Sequence, residues 1–155
     1  MLYSSASSMR IEPIPYNAEV EALLADAGLP TSDMGQSERL HLFGIRGVGR
    51  LNGVVGIEVH GNVALLRSLA VDAALRKTGH GRALVAHAEA WAAQQRIEAL
   101  YLLTTSAAGF FARLGYATTP RSEAPPAIAQ TTQFQETCPA SATFMCKPGI
   151  RRSSA

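Results

Sequence analysis

Leu65-Leu66-Arg67-Ser68-Leu69-Ala70-Val71 reads as a buried strand, and shortly after it Arg76-Lys77-Thr78-Gly79-His80-Gly81 opens a helix. The first amides of a helix have no internal partner and carry partial positive charge. They suit an anion such as phosphate. Glycine at 79 and 81 lets oxygens approach the backbone with no Cβ in the way. Arg76, Lys77 and Arg82 add cations suited to a diphosphate. The same loop also reads as a plain strand-to-helix turn whose glycines only solve geometry, and taken alone it leaves both readings open. Two competitors fail on spacing. No G-x-x-x-x-G-K-[ST] is present. Gly79-His80-Gly81-Arg82-Ala83-Leu84 lacks the third small residue of a dinucleotide fingerprint and the acidic residue that should follow on a second βα unit.

Working outward, Met9 to Pro15 suits a short edge strand that meets proline. Asn17 can cap a helix through Val20, Leu23, Leu24 and Ala27, ended by Gly28 and Pro30. Thr31 to Glu38 reads as a loop or short helix. Leu40–Ile45, Leu51–Val59 and Val63–Val71 form an antiparallel meander with turns at 46–49 and 60–62. Glycines 53 and 56 mark bulges or close backbone approach. From Gly79 the period becomes helical, with Leu84, Ala88 and Trp91 on one face, and the helix ends near Arg96. Ala99–Thr104 predicts a strand buried on both faces. A helix from Ser106 through Leu114 ends at Gly115, and Tyr116 starts an extended segment. A loop over 120–126, a short helix over 127–134 and a last strand over 141–146 follow. The order β, α, meander, α, β, α, β, β is an α+β class.

The chain has 155 residues, 47% hydrophobic and 17% charged, which is one domain's worth and enough for a core. Domain limits of 9–148 are expected, with residues 1–8 a disordered extension and 149–155 a flexible tail. The net charge of +2 is too small to argue for nucleic acid. No apolar run approaches the roughly 20 residues of a membrane span. The N-terminus lacks a basic start followed by an apolar segment, so a cytoplasmic protein with reduced thiols is expected. The two cysteines, Cys138 and Cys146, form no CxxC, and with four scattered histidines they give no zinc spacing, so no metal is expected. Cys138 has no identifiable histidine base and reads as structural.

Three features now combine: Leu69-x-Val71, Arg76-x-x-Gly79-x-Gly81 and Ala107-x-x-Phe110-Phe111-x-x-x-Gly115-Tyr116. Together, in this order and spacing, they resemble the GNAT (GCN5-related) N-acetyltransferase superfamily, over the elements from 10 to 147. More narrowly, 64–71, 101–107 and 138–145 resemble small bacterial acetyltransferases found with arsenic-resistance genes. The resemblance implies a mixed, mostly antiparallel central sheet with helices on both faces. It also implies a splayed strand pair, 63–71 and 98–104, that binds acetyl-CoA.

It further implies a set of site residues. Leu69, Ala70 and Val71 would line the pantetheine arm. Arg76, Lys77, Thr78, Gly79, His80, Gly81 and Arg82 would hold the pyrophosphate. Thr105, Phe110 and Phe111 would complete the cofactor contacts. The Val71 N–H would face the thioester oxygen, where a donor stabilises developing charge. Glu58 is the candidate base for the incoming ammonium, with a solvated sheet residue as its competing reading. His60 reads as a turn residue. Arg67 and Ser68 should point to opposite faces of their strand. One of them would face the acceptor, Ser68 near the chemistry or Arg67 on an anionic group. The family often carries tyrosine where Phe111 stands, so that acid is absent here, and water, Thr105 or Ser106 could assist the leaving thiolate. An alkyl thiolate, with a thiol pKa near ~8.5, still leaves tolerably.

The reading is an acetyltransferase acting on the amino group of a small amino-acid-like compound, an organoarsenical included, and working as a homodimer. Two alternatives stay open: a protein or peptide N-acetyltransferase, and a non-catalytic acetyl-CoA-binding sensor. A slightly basic chain with few clustered carboxylates favours a small acceptor over basic protein tails.

Overall fold

The computed structural model describes residues 10–29, 31, 38–47, 49–73, 78–131, 134–135 and 142–150. The elements in chain order are β1 (Ile11–Ile14), α1 (Ala18–Asp26), β2 (Leu40–Gly47), β3 (Arg50–His60) and β4 (Val63–Val71). They are followed by α2 (His80–Gln94), β5 (Ala99–Thr104), α3 (Ala108–Arg113), β6 (Ala117–Thr118), α4 (Pro126–Ala129) and β7 (Thr143–Pro148). The strands hydrogen-bond in the order β1-β2-β3-β4-β5-β7-β6. β4 and β5 run parallel, while β1–β2, β5–β7 and β6–β7 are antiparallel. This is the α+β class expected from the order of elements, with the mixed, mostly antiparallel sheet that the family resemblance implies.

The chain forms two compact units: residues up to Ile57 with Ser68–Ala88, and Glu58–Arg67 with everything from Glu89 onward. In the first, α1 starts where the Asn17 side chain accepts from the Val20 N–H at 3.0 Å. It ends where Gly28, at φ 74°, lets Leu29 N–H reach back to Leu24 O at 3.0 Å. Val20 and Leu24 pack with Leu42, Leu51, Val54 and Ala70. Gly53 marks a close approach, as expected: a Cβ there would lie 3.0 Å from Leu84 Cδ1 and 3.4 Å from Ala70 O.

The second unit is built on Leu65, Ile128 and Phe144. Tyr101 stacks on Phe144 at 5.6 Å, and Phe134 meets Phe144 edge-on at 5.3 Å. Several expectations shift here. The helix expected from Ser106 spans Ala108–Arg113 instead, because the Thr104 hydroxyl accepts from Ala107 N–H at 3.0 Å and closes a turn first. The helix expected over 127–134 is the single turn Pro126–Ala129, with proline in its first turn. β7 starts two residues later than expected and runs to Pro148, because it pairs with all of β5, from Thr104↔Thr143 to Ala99↔Pro148. β5 is not buried on both faces throughout: Tyr101, Leu103 and Thr104 are half-buried. Packing also continues past 148, since Ile150 is fully buried and its N–H donates to Glu98 O at 3.0 Å. Residues 1–8 and Cys138 lie outside the described residues.

Candidate functional site

β3 and β4 are joined by the two-residue turn Gly61-Asn62, which sets His60 opposite Val63. At the far end Asp72 N–H donates to Asn52 O at 2.8 Å. Eight residues separate His60 from Asn52, but nine separate Val63 from Asp72. β4 therefore carries one extra residue, which is a β-bulge. Ser68 is the β4 residue in the left-handed region, at φ 59°, where a non-glycine side chain is uncommon. The bulge breaks the two-residue alternation on which the expected opposition of Arg67 and Ser68 rests, and both side chains are buried. The register between β4 and β5 covers Val63–Leu65 only.

Because Asp72 N–H turns toward β3, alternation turns the Val71 N–H away from β3. One two-residue step back, the Leu69 N–H points the same way. This direction follows from the ladder.

Helix α2 opens at His80, and Gly79 O accepts its first bond, from Ala83 N–H at 3.0 Å. Gly79 is thus the residue before the helix, at φ 91°, and a Cβ there would have no heavy atom within 4 Å. A glycine cap offers no side-chain acceptor to the first-turn amides of His80, Gly81 and Arg82. No acidic residue sits in that turn. This chemistry fits a diphosphate. Thr78 Oγ1 and His80 Nδ1 are bonded at 2.6 Å and brace the turn, and Arg82 is exposed. Arg76 and Lys77 lie outside the described residues.

Glu58 is not a solvated sheet residue: it is 8% exposed. Its Oε2 lies 2.7 Å from His60 Nε2, and its Oε1 accepts from Arg67 Nη1 at 3.1 Å. The Arg67 side chain is 1% exposed. A buried ion pair repays its desolvation only with good hydrogen-bond geometry, and here each carboxylate oxygen has a partner. Arg67 therefore meets a carboxylate of its own chain. His60 is the residue that sequence reasoning passed over. The available signal was Glu58-x-His60 on a strand, a spacing that puts both side chains on one face.

Phe111 is 6% exposed and packs edge-on against Phe110 at 5.0 Å and Tyr116 at 5.6 Å. It fills core in a position where the resemblance expects a tyrosine acid. Phe110 is half-buried, and Thr105 and Ser106 are exposed in the turn before α3. The Tyr116 hydroxyl is committed to Glu89 at 2.8 Å. Burial, then the Glu89 charge, raises its pKa well above the ordinary phenol value. Among the described residues no group of three or more His, Cys, Asp or Glu side chains could hold a metal ion. No helix among them is long and apolar enough to cross a membrane.

Comparison with solved structures bears on this arrangement. The chain is similar to a protein described as an acyl-CoA N-acyltransferase from Klebsiella pneumoniae subsp. pneumoniae MGH 78578. The identity is 26%, with 90% of this chain and 97% of that chain covered and a TM-score of 0.73. N-acetylglutamate synthase from Neisseria gonorrhoeae, complexed with coenzyme A and N-acetyl-glutamate, matches at 18% identity and TM-score 0.74. That match covers 90% of this chain and 35% of the synthase. Rv2747 from Mycobacterium tuberculosis, complexed with CoA and NLQ, matches at 17% identity and TM-score 0.72, covering 90% and 98%. The last two likenesses concern the fold. No curated protein sequence matches. The sequence itself matches the Acetyltransferase (GNAT) family over residues 9–116. The chain belongs to that family and is an acetyl-CoA-dependent N-acetyltransferase of the GNAT type.

Proposed function

We propose that the acceptor is the amino group of a small amino-acid-like compound. The observation that carries this reading is the Glu58–His60–Arg67 cluster. It is a buried acid–base group on the β3–β4 hairpin, with Glu58 and His60 on β3 and Arg67 on β4, where Ser68 to Val71 follow. In this proposal the first-turn amides of α2, with Thr78, Gly79, His80, Gly81 and Arg82, hold the pyrophosphate, joined by Arg76 and Lys77. The β4 edge at Leu69, Ala70 and Val71 takes the pantetheine arm. The Val71 N–H stabilises charge on the thioester oxygen as the amine attacks, typically by about 3 kcal/mol. The ammonium proton goes to the cluster centred on Glu58, with Ser68 a further candidate for the chemistry. Thr105, Phe110 and Phe111 complete the cofactor contacts.

A small acceptor is supported by the modest charge of the chain and by the amino-acid product held in the synthase of the same fold. The finer assignment, an arsenic-containing or phosphinothricin-like amino acid, rests on the sequence resemblance over 64–71, 101–107 and 138–145. A cytoplasmic homodimer, joined through the C-terminal strands, completes the proposal.

A thiol-release assay against a panel of amines, arsinothricin- and phosphinothricin-like amino acids included, tests the acceptor. Turnover with an amino-acid amine is expected, whereas turnover only with peptides, or with no amine at all, defeats the reading. Gly81→Glu places a carboxylate at the phosphate position and is expected to abolish acetyl-CoA binding in calorimetry. Unchanged binding would sink the pyrophosphate assignment.

A further inference from the structure

Gly53 is a strand glycine whose backbone does not call for glycine. Its φ lies outside the left-handed region, unlike that of Gly79 or Gly115. Glycine in a strand interior forgoes side-chain packing and costs chain entropy. The reason it fits here is space. Asp72 N–H on Asn52 O, at 2.8 Å, fixes the antiparallel register, and one step along it sets Gly53 beside Val71. A Cβ at Gly53 would lie 3.7 Å from Val71 Cγ2, 3.4 Å from Ala70 O and 3.0 Å from Leu84 Cδ1. The first two are ordinary contacts. The third is closer than packed carbons normally come, so Leu84 would have to give way.

Leu84 is the first fully buried side chain of α2. Before it, His80, Gly81 and Ala83 are half-buried and Arg82 is exposed. Helical side chains lean toward the N-terminus, so Leu84 covers sheet beneath the turn that precedes its own Cα. That turn is His80–Ala83, which carries the first-turn amides. Leu84 stands about 6 Å along the axis from His80. The side chain that seats the start of α2 on the sheet therefore rests on Gly53, and Gly53 borders Val71. All of these residues belong to the first compact unit.

We infer that Gly53 is a positioning residue for the cofactor. With no side chain, it lets Leu84 draw the first turn of α2 down beside β4. It thereby fixes the spacing between the amides that hold the pyrophosphate and the Val71 N–H that meets the thioester. This rests on the acetyl-CoA assignments proposed above and adds the element that keeps them in register. A close-packed core takes up little extra volume. One carbon added at position 53 must be absorbed by Leu84 or by the helix that Leu84 anchors. A ligand that engages both ends loses affinity when their spacing changes, whereas a ligand that engages one end does not.

Gly53→Ala tests this by calorimetry, with acetyl-CoA and separately with phosphoadenosine diphosphate, the nucleotide half of the cofactor that carries the pyrophosphate. The expected result is an acetyl-CoA Kd weakened about five- to ten-fold, with the Kd of the nucleotide half within about two-fold of wild type. Leu84→Val removes one carbon where Gly53→Ala adds one. The double variant therefore conserves volume and should regain acetyl-CoA affinity to within about two-fold of wild type. It also decides the matter if Gly53→Ala alone does not fold. An alanine variant that binds acetyl-CoA as the wild type does overturns the inference. So does an equal loss for both ligands, which would make Gly53 a support for the first turn alone. So does a double variant, folded by circular dichroism, that regains nothing. A wild-type protein that fails to bind phosphoadenosine diphosphate would instead defeat the pyrophosphate reading, so the two failures are distinct.

Discussion

Two carboxylates in the second unit are held in contrasting ways. Glu89 accepts from the Tyr116 hydroxyl at 2.8 Å and from Lys147 Nζ at 3.0 Å, partners 27 and 58 residues away in sequence. Lys147 also donates to Leu114 O at 2.9 Å. One side chain therefore ties α2, the end of α3 and β7 together. Glu58 binds His60 two residues away and Arg67 nine residues away. Both partners sit on a hairpin that a tight turn and its ladder already hold. The first network joins elements that would otherwise separate. The second adds no connection that the hairpin lacks, yet it withdraws charged and titratable groups from water. Desolvation without structural return is expected of groups kept for chemistry.

The sharpest way to break this contrast is to delete each pair whole. Glu58→Met with Arg67→Met should lower kcat by at least about 100-fold. Its Tm should hold or rise, since replacing a buried pair by apolar side chains is often neutral or stabilising. Glu89→Met with Lys147→Met should do the reverse. It leaves the buried Tyr116 hydroxyl and Leu114 O without these partners, at about 1–3 kcal/mol each, while kcat changes less than a few-fold. Steady-state kinetics and thermal melts on both double variants decide the matter, and equal losses of stability would erase the distinction.

Gly115 tests the brace from its backbone side. It stands at φ 101°, and a Cβ there would come within 3.2 Å of Lys147 Cε. Gly115→Ala therefore adds left-handed strain to crowding of the lysine and should cost about 1–2 kcal/mol in urea unfolding. A neutral result would show that Lys147 moves aside freely and that the brace is slack.

The brace also predicts a pH effect. The Tyr116 pKa is raised by burial first and then by the Glu89 charge; the Tyr101 pKa is pushed to about 12 by burial and then by Cys146. Below the ordinary phenol value of about 10, both states keep these protons and nothing changes. Above it the unfolded chain sheds protons that the native state retains, so stability falls as pH rises. For Tyr101 the loss runs from about 10 to about 12, and for Tyr116 it continues beyond. Tyr116→Phe should give a shallower alkaline decline of Tm. Superimposable curves would mean the hydroxyl is not held as described.

Most of the fold was legible because its signals are local. The Asn17 cap, the glycine ends at 28 and 115, the meander turns and the change of period after Gly79 each act within a few residues. The loop from Arg76 to Gly81, with Leu69-x-Val71 and Phe110-Phe111, was legible as a family pattern. The acid–base cluster was only half legible. Glu58 was visible as a strand carboxylate, but its partners depend on strand register, which the sequence does not state. Arg67 reaches Glu58 only once the hairpin is formed, and His60, beside Gly61-Asn62, carries every mark of a turn residue. The bulge was not legible at all, since serine is no signal for a left-handed backbone.

That last point gives the smallest and most discriminating pair of variants. Ser68 and Arg96 are the described non-glycine residues with positive φ, at 59° and 64°. Arg96 follows α2, where Ile97 N–H reaches back to Ala92 O at 3.0 Å and Arg96 N–H to Ala93 O at 3.1 Å. This is the helix end where glycine is usual. Arg96→Gly should therefore stabilise the protein by about 0.5–1 kcal/mol and leave kcat unchanged. Ser68 has no helix end to explain it. It sits between Arg67, which holds Glu58, and Leu69, whose N–H turns away from β3. Strain of this kind persists only where the surroundings impose it, and it gathers at functional sites. Ser68→Gly relieves the same backbone cost, so its stability should change by only a few tenths of a kcal/mol, the relief being offset by glycine's greater loss of chain entropy. Its kcat should fall several-fold, because glycine no longer holds the bulge to one geometry. If both glycine variants are equally active, the bulge is merely a strand irregularity. If only Ser68→Gly loses rate, the left-handed serine belongs with the Glu58 cluster as part of the chemistry.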